Sequence, residues 1–205
     1  MKISLSDAGK RFNRDWIFRN LSYEFYAGRS YAITGSNGSG KSTLLQVIAG
    51  AIQLSKGTID YHVEGRPIEG DDAFRNISLA APYLDLIEEM NLLEFLEFHG
   101  RFKPFIAQLS IGEMVARLGL QEAKNKQIRY FSSGMKQRVK LAQAFFCDTT
   151  CILLDEPTTN LDQQGIELYH SLVSEFCNNR LVIVSSNDEH EFSFVDEKIE
   201  MAQFK

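Results

Sequence analysis

Hydrophobic positions fall in short blocks whose spacing changes along the chain. Residues near 2–6 and 21–26 read as a first strand pair. A buried strand is predicted over Arg29–Thr34, with Tyr31 to Ile33 as its apolar centre. It runs into a glycine-rich turn, Gly35–Gly40, and then a helix over Lys41–Ala49. Further strands are predicted over 57–63 and 76–80. From Leu84 to Phe98, the residues Leu84, Ile87, Leu92, Leu93, Phe95, Leu96 and Phe98 predict an apolar helical region. Another helix is predicted over Ile111–Leu118, with Gly119 near its end, and a third from Ser132. Cys151–Leu154 and Leu181–Val184 are short Ile/Leu/Val-rich runs of the kind found in buried parallel strands. The pattern is an α/β core with a mostly helical insertion at about 84–130.

Composition narrows the functional classes. At 205 residues and 44% apolar content, the chain suits one domain with a real core. A net charge of −5 argues against a broad electrostatic attraction to nucleic acid. No apolar run approaches the roughly 18–20 residues needed to cross a bilayer. The segment Met1–Phe12 lacks an apolar signal core. The chain alone is therefore expected to be soluble and to serve any membrane by docking. Cys147, Cys151 and Cys177 show no metal-ligand spacing and are odd in number, which fits a reducing cytoplasm.

Two local motifs carry chemistry. Gly35-Ser36-Asn37-Gly38-Ser39-Gly40-Lys41-Ser42 matches G-x-x-x-x-G-K-[ST], followed by Thr43 in the same helix start. Glycines let successive N–H groups curl around phosphate oxygens, and the helix directs its positive end at the same charge. Lys41 is expected on the β- and γ-phosphates, and the Ser42 hydroxyl on Mg²⁺. Downstream, Cys151-Ile152-Leu153-Leu154-Asp155-Glu156 is a buried strand ending in two acids. Asp155 is expected to help hold Mg²⁺, and Glu156 to position or deprotonate an attacking water.

With these motifs in place, the sequence resembles the ABC ATPase family over nearly its whole length. Phe131-Ser132-Ser133-Gly134-Met135-Lys136-Gln137-Arg138 resembles the family signature, usually written LSGGQ. The resemblance implies that Ser132, Ser133, Gly134 and Met135 meet the γ-phosphate of an ATP held by a second subunit. Ser132 also suits a helix N-cap. Thr159-Asn160-Leu161-Asp162 resembles the family's D-loop and places Asp162 across a dimer interface. Phe12 stands where the family has an aromatic that stacks on adenine, with Trp16 as the rival.

The fold implied is a P-loop NTPase core with an N-terminal antiparallel β subdomain and a helical insertion, forming one ABC ATPase domain over 1–205. The function implied is ATP binding and hydrolysis driving transport through separate transmembrane permease subunits, by ATP-dependent pairing with a second ATPase subunit in a homo- or heterodimer. The location implied is cytoplasmic, peripheral on the inner face of the cell membrane. Docking is expected near residues 80–100, with Tyr83, Leu84, Leu86 and Phe98 partly exposed. The signature variant is similar to those of exporter ATPases.

Three departures set this chain apart. Ser133 and Met135 replace a glycine and a glutamine of the signature. Leu79-Ala80-Ala81-Pro82-Tyr83 lacks the family's Mg²⁺-sensing glutamine. Asn187 stands in place of the switch histidine; it can hydrogen-bond a γ-phosphate oxygen but carries no proton at neutral pH. His190 reads as a surface helix residue. Slower hydrolysis is expected, with a regulatory subunit of a heteromeric transporter or a soluble non-transport ABC ATPase as alternatives.

Overall fold

In a computed structural model of the chain, the described residues run from Met1 to Lys205 and include every side chain except that of Asp71. They divide into two compact units. The first comprises Met1–Ile77, Thr149–Asp155 and Asn179–Lys205; the second comprises Ser78–Asp148 and Glu156–Asn178.

The first unit opens with a long hairpin, β1 (Lys2–Phe12) and β2 (Asp15–Tyr26). Both strands outrun the predicted pair because the ladder continues through irregularities. Register shifts separate Leu5 from Ala8, and Asp7 adopts φ 47. A bulge of this kind places exposed polar residues, here Ser6 and Asp7, inside a strand and breaks the alternation that a sequence reading follows. Strand β3 (Ser30–Thr34) leads through the glycine-rich loop into helix α1 (Lys41–Ile48). Strands β4 (Lys56–Val63) and β5 (Arg66–Ile68) complete an antiparallel sheet of order β2-β1-β4-β5. A short helix, α2 (Gly70–Ala73), follows, and strand β6 (Ile77–Ala80) starts at the last residue of this stretch and continues as the first residues of the second unit.

The antiparallel sheet fixes α1 at both ends. The Tyr61 hydroxyl on β4 donates to the Val47 and Ile48 carbonyls at 3.3 and 3.2 Å. Both are last-turn carbonyls, and Val47 O also accepts from Gly50 N at 2.9 Å. Burial pushes the Tyr61 hydroxyl well above its usual pKa, so it stays a donor. At the other end, Ile17 of β2 packs on Gly40, directly before the helix. An edge-on Phe25–Tyr31 pair, with centroids 5.0 Å apart, ties β2 to β3. Each such buried ring is worth about 1.5–3 kcal/mol.

The second unit is mostly helical. The apolar region expected from Leu84 begins its helix only at Leu92: α3 spans Leu92–Phe102. A reciprocal capping box explains the late start. Glu94 N donates to Asn91 Oδ1 at 3.0 Å, and Asn91 N donates to Glu94 Oε2 at 2.9 Å. The preceding residues are non-helical and bond elsewhere, as Arg129 N does to Glu88 O. Helix α4 (Ile111–Arg117) has a second capping box at Ser110 and Glu113. It ends at Gly119, whose φ of 66 is the left-handed stop expected there. Helices α5 (Ser133–Phe145) and α6 (Gln163–Phe176) pack on one another.

The remaining strands belong to the first unit. They are β7 (Cys151–Asp155), β8 (Leu181–Ser185) and β9 (Glu197–Glu200), which with β3 form a parallel array of order β7-β8-β3-β9. Every residue of β7 and β8 is buried, which accounts for their unbroken apolar sequence.

Candidate active site

The loop after β3 is closed on itself. Ser39 N donates to Ser36 O at 3.0 Å. Gly35, Gly38 and Gly40 adopt φ of 143, 77 and 103. A Cβ at Gly40 would come within 2.5 Å of Ile17 Cγ2, whereas one at Gly38 would meet open space. Position 38 thus needs glycine for conformation alone, and position 40 for space as well. Lys41 is 5% exposed, and its ammonium donates to Gly35 O at 2.7 Å and Ser36 O at 3.4 Å. These carbonyls solvate a buried cation without neutralising it. A phosphate oxygen would be its stronger partner. Ser42 and Thr43, both half-buried, open α1. Its first-turn amides lack intrahelical acceptors and that turn holds no acid, so the helix end stays electropositive.

The strand register separates the two rival aromatics. Phe12 pairs with Asp15, and Arg11 with Trp16. Directly paired residues share a face, so Phe12 lies with Asp15 on one face of the hairpin, and Ile17 falls in the register shift between the Lys10–Phe18 and Arg11–Trp16 pairs. Trp16 lies on the other face, with the Arg11 guanidinium 5.6 Å from its ring centroid. Phe12 is 48% exposed, with the Lys10 ammonium 5.0 Å from its centroid.

Asn187, which follows β8 by two residues, is fastened to the loop. Its Oδ1 accepts from Gly35 N at 3.2 Å, and its Nδ2 donates to Asn37 Oδ1 at 3.2 Å. The side chain read from sequence as a phosphate contact holds the first half of the cradle in this structure. His190 sits exposed on a short 3-10 turn, Glu189–Glu191.

Asp155 ends β7 at 2% exposure, and Glu156 follows it exposed. Glu156 has φ 42. Left-handed backbone is uncommon for glutamate, and the residue before proline is already barred from much of the right-handed region. Backbone strain of this kind, on the order of 1–3 kcal/mol, concentrates at functional sites. Ser42 and Asp155 are hard oxygen donors of the type Mg²⁺ prefers, so the chemistry of this donor set fits that ion.

The second unit carries a groove of about 450 Å³ at the start of α5. Ser132, Ser133, Gly134 and Met135 line it on one side, and Asn160 and Asp162 on another. Ser132 Oγ accepts from Met135 N at 3.2 Å, which makes it the N-cap. The Ser133 side chain is exposed and meets no steric bar. A Cβ at Gly134 would lie 3.0 Å from Asn160 O. This explains why the second glycine of the signature is kept while the first is not. Asn160 itself has φ 66, a conformation that asparagine tolerates. Asp162 Oδ1 accepts from Gly165 N at 2.8 Å, capping α6, and pairs with Arg138 at 3.1 Å. The Gly165 N–H, and after it Arg138, hold the Asp162 carboxyl below its usual range.

A family model described as ABC transporter matches residues 18–159. The chain belongs to that family. It is 30% identical over 97% of its length, and 92% of the relative's, to an uncharacterized ABC transporter ATP-binding protein, YybJ, of Bacillus subtilis. It is 31% identical to the cytochrome c biogenesis ATP-binding export protein CcmA of Rhizobium johnstonii, over 84% of this chain and 81% of that one. Its fold is similar to that of the ATP-binding cassette MJ0796, solved as a dimer in a post-hydrolysis state with ADP and Pi. That likeness has a TM-score of 0.81 at 22% identity and covers 97% of this chain and 93% of that one. This ABC ATPase is thus an ATP-binding and hydrolysing transporter subunit with the α/β fold expected.

In this ABC ATPase the segment without the glutamine is tied to the signature helix instead. Ala81 is fully buried, and the Pro82 carbonyl accepts from Lys140 Nζ at 2.6 Å. Burial holds the Lys140 ammonium below its usual pKa. Four residues earlier, Lys136 pairs with Glu88. Of the residues expected to be partly exposed, Tyr83 and Phe98 are exposed at 42% and 36%, and Leu84 is half-buried. Leu86 is buried at 8% and is a correction: the non-helical path before Asn91 turns it into the core. Ile87, at 37%, takes its place at the surface. Arg138, Lys140, Ile17 and Tyr61 were missed by sequence reasoning. Each acts on a segment distant in sequence, and only Arg138 stood within a motif.

Proposed function

We propose that this ABC ATPase hydrolyses ATP in a head-to-tail pair, each nucleotide lying between the phosphate loop of one chain and the signature groove of the other. One observation carries this reading: a single chain holds two separate anion-receptive helix ends, the loop before α1 and the groove at α5. Each supplies part of what a triphosphate needs. The dimeric form of the structurally similar cassette supports the arrangement.

In this reading Phe12, exposed on the hairpin face opposite Trp16, stacks on adenine. The amides of Gly35, Ser36, Asn37, Gly38, Ser39 and Gly40 line the phosphates, and Lys41 exchanges its carbonyl partners for β- and γ-oxygens. Ser42 and Asp155 would hold Mg²⁺, which supplies charge neutralisation at the phosphate oxygens. Glu156 orients a water and takes its proton as the water oxygen bonds to the γ-phosphorus and the bond to the β–γ bridging oxygen breaks. Asn187 steadies the loop without titrating, which favours slow turnover. Residues 1–205 act as a single domain, the 84–130 region serving as its helical part. Tyr83, Ile87 and Phe98 face transmembrane permease subunits from the cytoplasmic side of the membrane. Among the described residues no helix is long and apolar enough to cross a membrane.

Sedimentation of the Glu156→Gln variant with and without ATP and Mg²⁺ tests the pairing. The variant keeps the phosphate loop and loses the proton acceptor, so hydrolysis should fall roughly 100-fold or more, and ATP should convert monomers to dimers. A variant that binds ATP yet stays monomeric would refute the homodimeric arrangement.

A further inference from the structure

Arg138 lies four residues beyond Gly134, so both residues face the groove from the same side of α5. Its side chain is only 17% exposed. Nη2 donates to Asp162 Oδ1 at 3.1 Å, and Nη1 donates to the Leu118 carbonyl at 3.3 Å. Three segments meet on one guanidinium: the signature helix, the left-handed stop of α4, and the turn that caps α6. Leu118 O belongs to the last turn of α4, where carbonyls lack intrahelical partners. A Cβ on Gly119 would sit 3.3 Å from Nη1, so the stop is packed directly on the guanidinium. Asp162 is engaged twice on one oxygen, by Gly165 N and by Arg138. The carboxylate is thereby fixed within its own chain.

We propose that Arg138 is a positioning residue for ATP-driven pairing: its fork sets the separation of the Ser133–Gly134 wall and the Asn160–Asp162 wall, and so the fit of the groove to a partner's nucleotide. The role rests on the trans-site reading above. Arg138 does not need to touch phosphate, because its charge already has a carboxylate partner. A lysine cannot replace it fully, since one ammonium on a flexible stem does not reproduce a planar fork aimed at two acceptors.

The test is made in the Glu156→Gln background by measuring ATP-driven dimerisation together with nucleotide affinity of the monomer. Arg138→Ala should weaken the dimer roughly tenfold or more, leaving monomer affinity for a fluorescent ATP analogue within about twofold. Arg138→Lys should recover part of the loss. Asp162→Asn keeps the α6 cap while removing the ion pair, so it serves if Arg138→Ala fails to fold. It should weaken the dimer in the same direction, and Arg138→Ala combined with Asp162→Asn should be no worse than Arg138→Ala alone. Additive losses, or an equal fall in monomer affinity, would overturn the proposal. Absence of an ATP-dependent dimer in Glu156→Gln itself would overturn the trans-site reading first, and the clamp with it.

Discussion

The phosphate loop and the signature groove are both built on the N-terminus of a helix, yet the chain builds them by different means. The loop is made of backbone. Three glycines with positive φ bend eight consecutive residues, and Lys41 bonds carbonyls five and six positions away. The groove is made of side-chain ties across long stretches of sequence. Arg138 reaches Asp162 and Leu118, and Gln137 Nε2 reaches Pro157 O at 2.8 Å. A backbone cradle is sensitive to any added atom. A groove set by side chains is sensitive to its clamps and tolerates substitution elsewhere, as Ser133 shows.

Placing the same change in both regions gives the sharpest test. Gly40→Ala must hold φ near 103 and displace Ile17. Strain and overpacking together are worth about 3 kcal/mol, so monomer affinity for ATP should fall roughly 100-fold in a fluorescence titration. Acid offers the next largest effect, and it should fall on the helical unit. Gln143 Nε2 lies 3.0 Å from His99 Nδ1, so the neutral ring carries its proton on Nε2, facing Cys147 Sγ at 3.3 Å. Burial first, and Lys103 second, lower the His99 pKa to about 4. The unfolded chain takes up this proton near pH 6.5 and the native ring only near 4. Stability from the neutral ring is therefore complete above about 6.5 and is lost as pH falls toward 4. A loss of about 2 kcal/mol is expected. Urea midpoints at pH 7.5 and 4.5 should differ less for His99→Gln than for the parent chain. The smallest effect is Gly134→Ala, whose Cβ needs Asn160 to yield by a few tenths of an ångström. About 1 kcal/mol should appear as a several-fold weaker ATP-driven dimer with unchanged monomer affinity. If Gly134→Ala impaired monomer binding as much as Gly40→Ala, the division between the two sites would fail.

The same contrast explains what could be read in advance. The phosphate loop, the acid pair and the start of α5 are consecutive residues with local geometry, and the sequence placed them where the structure has them. The late start of α3 was also written locally, in Asn91 and Glu94, but the apolar run before it masked the capping box. The hairpin's full length was hidden by the bulge at Ser6 and Asp7. Arg138 and Asp162 lie 24 positions apart, and nothing in either neighbourhood announces the other. That Phe12 and Trp16 lie on opposite faces of the hairpin needed a strand register, which periodicity cannot supply across a bulged ladder.

Glu156 puts the fold and the reaction at odds. Its left-handed backbone would suit glycine or asparagine better, by roughly 1 kcal/mol. On the proposed mechanism this is also the carboxylate that takes the water's proton, so Glu156→Asn is expected to gain stability and lose turnover. The strained backbone at Glu156 thus sets stability against turnover at a single position: relieving the one is expected to cost the other.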